Sequence, residues 1–252
     1  LEENIRLTRS RCVRSIVIVP TYNEAPNIER LVAAIHQSCP ALEILIVDDE
    51  SPDGTGRIGD RIAAGDPKVS VIHRAAPRGR GLAGRDGYLE ALERGGEAIL
   101  EMDADFSHDP ELLPRFLEEL QRGADVVLGS RFVSGGSDED RGPVRRTITV
   151  LANAFIRFVL RVPVGDCNSG YRAFRRSALV AIDPASLTST GPSIVQEVLY
   201  RAHRARLRLV EIPLRFVDRH EGQSKLGFKL LVEGYFMILK LKAKDFLAKG
   251  RE

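Results

Sequence analysis

The sequence predicts an α/β fold, a mostly parallel sheet with helices on both faces. Short, predominantly apolar runs recur at 15–19, 42–47, 69–72, 98–102 and 125–128, and each is too brief for a helix. Between them lie segments whose apolar residues return every three or four positions, the period of a helix with one buried face. Strands that do not alternate polar with apolar are buried on both sides, which is the condition of parallel sheets covered by helices. The 252 residues, 43% hydrophobic and 29% charged, suffice for one large domain or a domain with an appendage.

Taken in order, Ser15 to Val19 is a β-branched run that stops at Pro20-Thr-Tyr-Asn-Glu24. Asn27 then opens a helix whose Ile28, Leu31, Val32 and Ile35 share one face. Leu42 to Val47 is a second buried strand ending in Asp48-Asp49, and Ser51-Pro-Asp-Gly-Thr-Gly56 turns into a helix near Ile58 to Ala64. Val69 to Ile72 is the third strand. A helix around Tyr88 to Arg94 leads to the strand Ala98 to Met102, a helix follows from Pro110 to Gln121, and Asp125 to Leu128 is a fifth strand. In such sheets ligands bind beyond the carboxyl ends of the strands. Those ends carry Pro20 to Glu24, Asp48-Asp49 and Asp103/Asp105, so one crevice is expected to collect them.

Asp103 and Asp105 sit one residue apart at the end of a strand, where residues i and i+2 point the same way. Two carboxylates so placed suit Mg2+ or Mn2+, hard cations that keep waters and complete their shell with substrate phosphates. The alternative is a solvated acidic turn leading into the next helix, with Asp109 as N-cap and Pro110 at the first helical position. Gly79-Arg-Gly-Leu-Ala-Gly84 satisfies G-x-G-x-x-G, yet His73 to Arg78 intervenes after the strand, so a dinucleotide fold is disfavoured. No glycine loop ends in Gly-Lys-Ser/Thr, which removes a P-loop. Cys12, Cys39 and Cys167 are too few and scattered for a disulfide framework or a zinc site and favour a reducing compartment. Net charge is only +2, but arginines and lysines crowd 131–176 and 225–251 while acids gather in the N-terminal half. No nucleic-acid partner is expected.

Read in sequence, Pro20-Thr-Tyr-Asn-Glu24, Asp48-Asp-Glu-Ser-Pro-Asp-Gly-Thr55, Met102-Asp-Ala-Asp105, Gly129-Ser-Arg131 and Ser169-Gly-Tyr-Arg172 resemble the family-2 inverting glycosyltransferases. Among these the likeness is greatest to the dolichol-phosphate or polyprenyl-phosphate mannose synthases, and it covers about residues 15 to 227. The resemblance implies a GT-A fold, GDP-mannose as donor, Mg2+ or Mn2+ as cofactor, and a polyprenyl or dolichyl phosphate as acceptor. It places Pro20, Tyr22, Glu24, Asp48, Asp49, Asp103, Ala104 and Asp105 around the donor, with Asp103 and Asp105 on the metal. On the acceptor side it places Arg131, Arg145, Thr149, Ser169, Arg219 and Lys225, with Asp105, Arg131 and Arg145 central to catalysis.

Other likenesses are less defined. Ser134 to Pro143 is a glycine-rich, charged loop suited to a mobile lid. Arg172 is structural or phosphate-facing, and Glu197 is a donor-sugar contact or the partner of an arginine. Ser107 stands where mannose synthases often carry a glutamine on the metal side, and the segment from Arg80 to Arg85 is unusually basic for the family. A UDP-sugar donor is the alternative within the class. A nucleotide-sugar pyrophosphorylase lacks its glycine-rich N-terminal loop here, and a non-catalytic binding module is disfavoured by the intact Asp-x-Asp.

Leu1 to Arg14 is read as an extension, polar and basic without the apolar core of a signal peptide. Residues 150–162 place Leu151, Phe155, Phe158 and Val162 on one helical face with Arg157 and Arg161 beside it, a face that packs on the domain or lies in the lipid interface. Phe228 to Leu241 is apolar for about fourteen residues, short of the roughly twenty needed to span a bilayer, and lysines flank it. Residues 228–252 therefore read as an interfacial amphipathic helix, a docking surface for a separate membrane-anchoring subunit, or a last helix packed on the sheet. The expected location is peripheral, on the cytoplasmic face of a membrane.

Overall fold

In the computed structural model, described for residues 13–138, 142–216, 237–239 and 242–243, a seven-stranded sheet runs in the order β3-β2-β1-β4-β6-β5-β7. The strands are β1 (Ser15–Thr21), β2 (Glu43–Asp48), β3 (Val69–His73), β4 (Ala98–Glu101), β5 (Val126–Ser130), β6 (Arg172–Arg175) and β7 (Leu209–Pro213). The helices are α1 (Ile28–Ser38), α2 (Thr55–Gly65), α3 (Arg80–Glu93), α4 (Leu113–Gln121), α5 (Gly142–Leu160), α6 (Arg176–Ile182) and α7 (Ile194–Arg204). Of residues 142–145 the backbone alone is described.

All five expected strands form, and β1 pairs in parallel with both β2 and β4. Ile16 and Ile18 join one apolar cluster with residues of α3, α5, α6 and α7, while Val17 and Val19 join the other with α1 and α4. The β-branched run is thus buried on both faces, as a run without polar alternation requires. Each such side chain withdrawn from water contributes about 1.5–3 kcal/mol.

Two features depart from the sequence reading. β6 is antiparallel to β4 and β5 and separates them, a pairing that no local pattern in Arg172 to Arg175 signals. α3 begins at Arg80 rather than near Tyr88, because its glycines are close-approach positions. A Cβ at Gly81 would come within 2.3 Å of the Ser189 carbonyl oxygen, and one at Gly87 within 2.5 Å of Ile18. Tertiary contact outweighs the poor helix propensity of glycine, roughly 1 kcal/mol per residue. Similarly α5 starts at Gly142, inside the expected loop, with Pro143 in its first turn where a missing N–H costs nothing.

Among the described residues no helix is long and apolar enough to cross a membrane. Residues 1–12 of the 1–14 extension and most of 217–252, with Arg219 and Lys225, lie outside the described residues.

Candidate active site

Because β2, β1 and β4 are neighbours and parallel, their carboxyl ends stand side by side, with Thr21 opposite Asp48 and Ile18 opposite Glu101. Pro20 is within β1, and Tyr22 and Glu24 follow directly after it. The Ser-Pro-Asp-Gly-Thr turn ties that loop down. Asp53 accepts from the N–H of Ala25 at 3.0 Å and from Thr55 Oγ1 at 2.6 Å, and Thr55 Oγ1 in turn accepts from the Glu24 N–H at 2.9 Å. Burial works against the Asp53 anion, but these donors hold its pKa below the ordinary value.

Asp48 and Asp49 are both buried. Asp48 accepts from Thr21 Oγ1 at 3.3 Å and the Ser51 N–H at 3.1 Å. Asp49 is gripped by the Arg74 guanidinium and by the Gly79 N–H at 2.7 Å, and Arg74 also donates to Asp86 at 2.7 Å. The second acid therefore fixes the segment between β3 and α3. At the rim, Arg78 donates to Tyr22 Oη at 2.8 Å and lies 5.3 Å over its ring.

Beyond β4 the carboxylates multiply. Glu101 is fully buried and accepts from Arg80 Nη1 at 2.7 Å and from the Tyr88 hydroxyl. Arg80 Nη2 reaches on to Asp103 Oδ1 at 3.2 Å. Burial would push the Arg80 pKa down, but Glu101 and Asp103 outweigh it and hold the guanidinium charged. Asp105 accepts from Ser107 Oγ at 2.6 Å, so the serine standing in the glutamine position orients this carboxylate. Ala104, between the two acids, is buried. His108 is turned inward, its Nδ1 accepting the Asp103 N–H at 2.9 Å and its ring stacked on Tyr171 at 4.8 Å. Burial lowers its pKa, while Asp103, 3.9 Å from Nε2, and Asp105 pull the other way.

Asp103, one-third exposed in its side chain, and Asp105 offer hard oxygen ligands of the kind Mg2+ and Mn2+ take. Among the described residues no group of three or more His, Cys, Asp or Glu could hold a metal by itself. A cation here would draw the rest of its shell from water and a diphosphate, which is normal for Mg2+.

Beyond β6 in the sheet, Arg131 follows β5. Its Nε and Nη2 make a forked pair with Asp166 at 2.7 and 2.8 Å, and Nη1 lies 3.9 Å from Asp138. Burial lowers the Arg131 pKa less than Asp166 raises it. Arg145 is in the first turn of α5, its side chain outside the description, and Thr149 is half-buried one turn on. Ser169 is buried beside Gly170, where a Cβ would lie 3.8 Å from Asp103 Oδ2. Arg172 is structural, fully buried and donating to the Ser169 carbonyl at 2.7 Å. Glu197 is the partner of an arginine, Arg201 at 2.7 Å, and also accepts from the Thr188 and Ser189 N–H groups.

Sequence reasoning missed Arg74, Glu101, Tyr88 and His108 as supports of the acids. The basic character of the segment from Arg80 to Arg85 was a trace of Arg80 alone, which bonds Glu101 and Asp103.

A mixed sheet with an acid-lined crevice at the ends of β1, β2 and β4 is the architecture of a GT-A glycosyltransferase. Residues 16–182 match the family model for Glycosyl transferase family 2, and the chain belongs to that family. It is 39% identical over 239 residues to the polyprenol monophosphomannose synthase of Mycolicibacterium smegmatis, covering 94% of this chain and 90% of that one. It is 41% identical over 215 residues to the undecaprenyl-phosphate mannosyltransferase of Micrococcus luteus, covering 85% and 88%. Among solved structures it resembles glucosyl-3-phosphoglycerate synthase from Mycobacterium tuberculosis, crystallised with Mn2+, UDP and glucosyl-3-phosphoglycerate. The TM-score is 0.67 at 21% identity, over 91% of this chain and 80% of that one.

Proposed function

We propose that this enzyme transfers mannose from GDP-mannose to a polyprenyl phosphate, with inversion, at a membrane surface. The observation that carries this is its likeness, over nearly the whole length, to two mannosyltransferases named for polyprenyl-phosphate chemistry.

The residues agree with the chemistry. Departure of a nucleoside diphosphate leaves negative charge and needs no proton. Mg2+ or Mn2+, held by Asp103 and Asp105, would supply Lewis-acid stabilisation of that charge. Pro20, Tyr22, Glu24, Asp48, Asp49 and Ala104 line the donor side. The acceptor phosphate, with a second pKa near ~6, is already nucleophilic at neutral pH. No general base is then required, and His108 has a structural part instead, its Nδ1 accepting a backbone N–H and its ring buried against Tyr171. Arg131 and Arg145 hold the acceptor phosphate in line, a task suited to permanently charged guanidinium donors, and Thr149, Ser169, Arg219 and Lys225 assist.

Peripheral membrane association is supported by α5, whose Ile148, Leu151 and Phe158 are exposed next to the exposed Arg146, Arg157 and Arg161. We place the enzyme on the cytoplasmic face, with residues 228–252 as an interfacial helix or the contact for a membrane subunit.

A donor screen tests the reading. GDP-mannose, UDP-glucose and UDP-GlcNAc, radiolabelled in the sugar, are offered with a short polyprenyl phosphate, and label extracted into organic solvent is counted. Label from GDP-mannose is expected, and label from UDP-glucose alone would replace the donor assignment.

A further inference from the structure

Asp166 lies in the loop between α5 and β6 and is fully buried. Its Oδ2 accepts from the Arg131 N–H at 3.2 Å and from Nε at 2.7 Å, and its Oδ1 accepts from Arg131 Nη2 at 2.8 Å and the Asn168 N–H at 3.2 Å. A carboxylate receiving two N–H donors on each oxygen has no capacity left for a substrate or a proton. Its effect is to fix Arg131, backbone and fork together.

The loop that carries Asp166 is itself fixed. Glu211, on β7 and opposite Leu128 of β5, accepts from the Gly165 N–H at 2.7 Å and the Asp166 N–H at 3.0 Å. The chain of contacts therefore runs from β7 through the loop to the guanidinium. With the Nε and Nη2 edge held, the remaining corner of Arg131, Nη1, points at the Asp138 carboxylate in the loop before α5. The Phe132 and Phe216 rings lie 5.5 Å from the guanidinium carbon and restrict its swing.

We propose that Asp166, backed by Glu211, is a positioning residue that holds the Arg131 backbone and its Nε–Nη2 edge in the one orientation from which this arginine serves the acceptor phosphate. This rests on Arg131 being an acceptor-phosphate ligand. A long arginine side chain that had to be ordered on binding would lose rotamer freedom with each turnover, whereas one already clamped does not. The Asp166 carboxylate does this better than an amide could. Asparagine keeps the shape but turns an NH2 group against guanidinium N–H groups.

The test is steady-state kinetics with GDP-mannose and a short polyprenyl phosphate, with GDP-mannose affinity measured separately by calorimetry. Asp166→Asn is expected to raise the acceptor KM about tenfold and Glu211→Gln about threefold, with donor affinity within twofold of wild type. The Asp166→Asn/Arg131→Lys double variant should be little worse than Arg131→Lys, because both changes remove one interaction. Independent, multiplying effects would overturn the proposal, as would wild-type acceptor KM in Asp166→Asn. If Asp166→Asn fails to fold, Glu211→Gln decides by the same criterion, wild-type acceptor KM overturning the role. The underlying reading fails differently. If Arg131→Lys by itself weakens GDP-mannose binding or leaves acceptor KM unchanged, Arg131 is not the acceptor ligand, and the positioning role falls with it.

Discussion

Arg80 Nη2 stands 3.2 Å from Asp103 Oδ1 while its Nη1 is bonded to the fully buried Glu101. One protein cation thus serves a structural carboxylate and a candidate metal ligand together. Removing it would strand Glu101 without its charge partner. Arg80→Met is predicted to destabilise the fold by about 3–5 kcal/mol, the usual cost of leaving one half of a buried pair. Urea denaturation checks this, and a loss below about 1 kcal/mol would show that Tyr88 suffices for Glu101.

The Asp-x-Asp pair gives a second prediction. Asp105→Ala should abolish transfer, and a chelator should do the same to the wild-type enzyme with activity returning on adding Mg2+ or Mn2+, because an uncompensated diphosphate is a poor leaving group. Full activity in chelator would remove metal from the mechanism.

Asp49 is held by Arg74 and the Gly79 N–H. Replacing it by alanine frees the segment that leads into α3 at the donor side. Donor KM should rise more than kcat falls, the pattern of lost uniform binding. A loss confined to kcat would place Asp49 in the chemical step instead.

Arg131→Lys and Arg145→Lys keep charge but lose the guanidinium geometry, which in Arg131 also includes the forked pair with Asp166. Each is expected to cut transfer to polyprenyl phosphate at least tenfold with GDP-mannose affinity nearly unchanged. A polyprenol lacking phosphate should be inert, since its hydroxyl, unlike a phosphate, must lose a proton to attack and the proposed acceptor groups are cations. Turnover of the free alcohol would contradict a phosphate nucleophile.

Glu197 gives the pH dependence. Burial raises its pKa, but hydrogen bonds from Ser189, Thr188 and Arg201 outweigh burial and set it below the ordinary glutamate value. A depressed carboxylate stabilises the fold above its unfolded pKa, about 4.3, and that stability is lost as pH falls through the lower folded value. Thermal melts of the wild type should therefore drop in acid below about pH 4.3. Glu197→Gln should start lower at pH 7 and fall less steeply, and parallel curves would refute the assignment.

The sequence by itself determined the five apolar strands, the helices between them and the carboxylates at their ends. Those features are local, because burial on both faces demands an unbroken apolar run and a strand entering a crevice must end in polar residues. Asp103 and Asp105 stood out as candidates for that reason, while Arg131 was singled out only through the family resemblance. Only the tertiary structure decided what holds them. β6 inserts antiparallel between β4 and β5, bringing the loop with Asp166 against Arg131, thirty-five residues away in sequence. The helical start at Arg80 likewise depends on Ser189 and Thr190 packing over Gly79 and Gly81, and so does the reach of Arg80 to Glu101 and Asp103. Charge pairs buried between distant segments leave no periodicity in the chain, since their partners are chosen by the packing of the sheet and not by neighbouring residues.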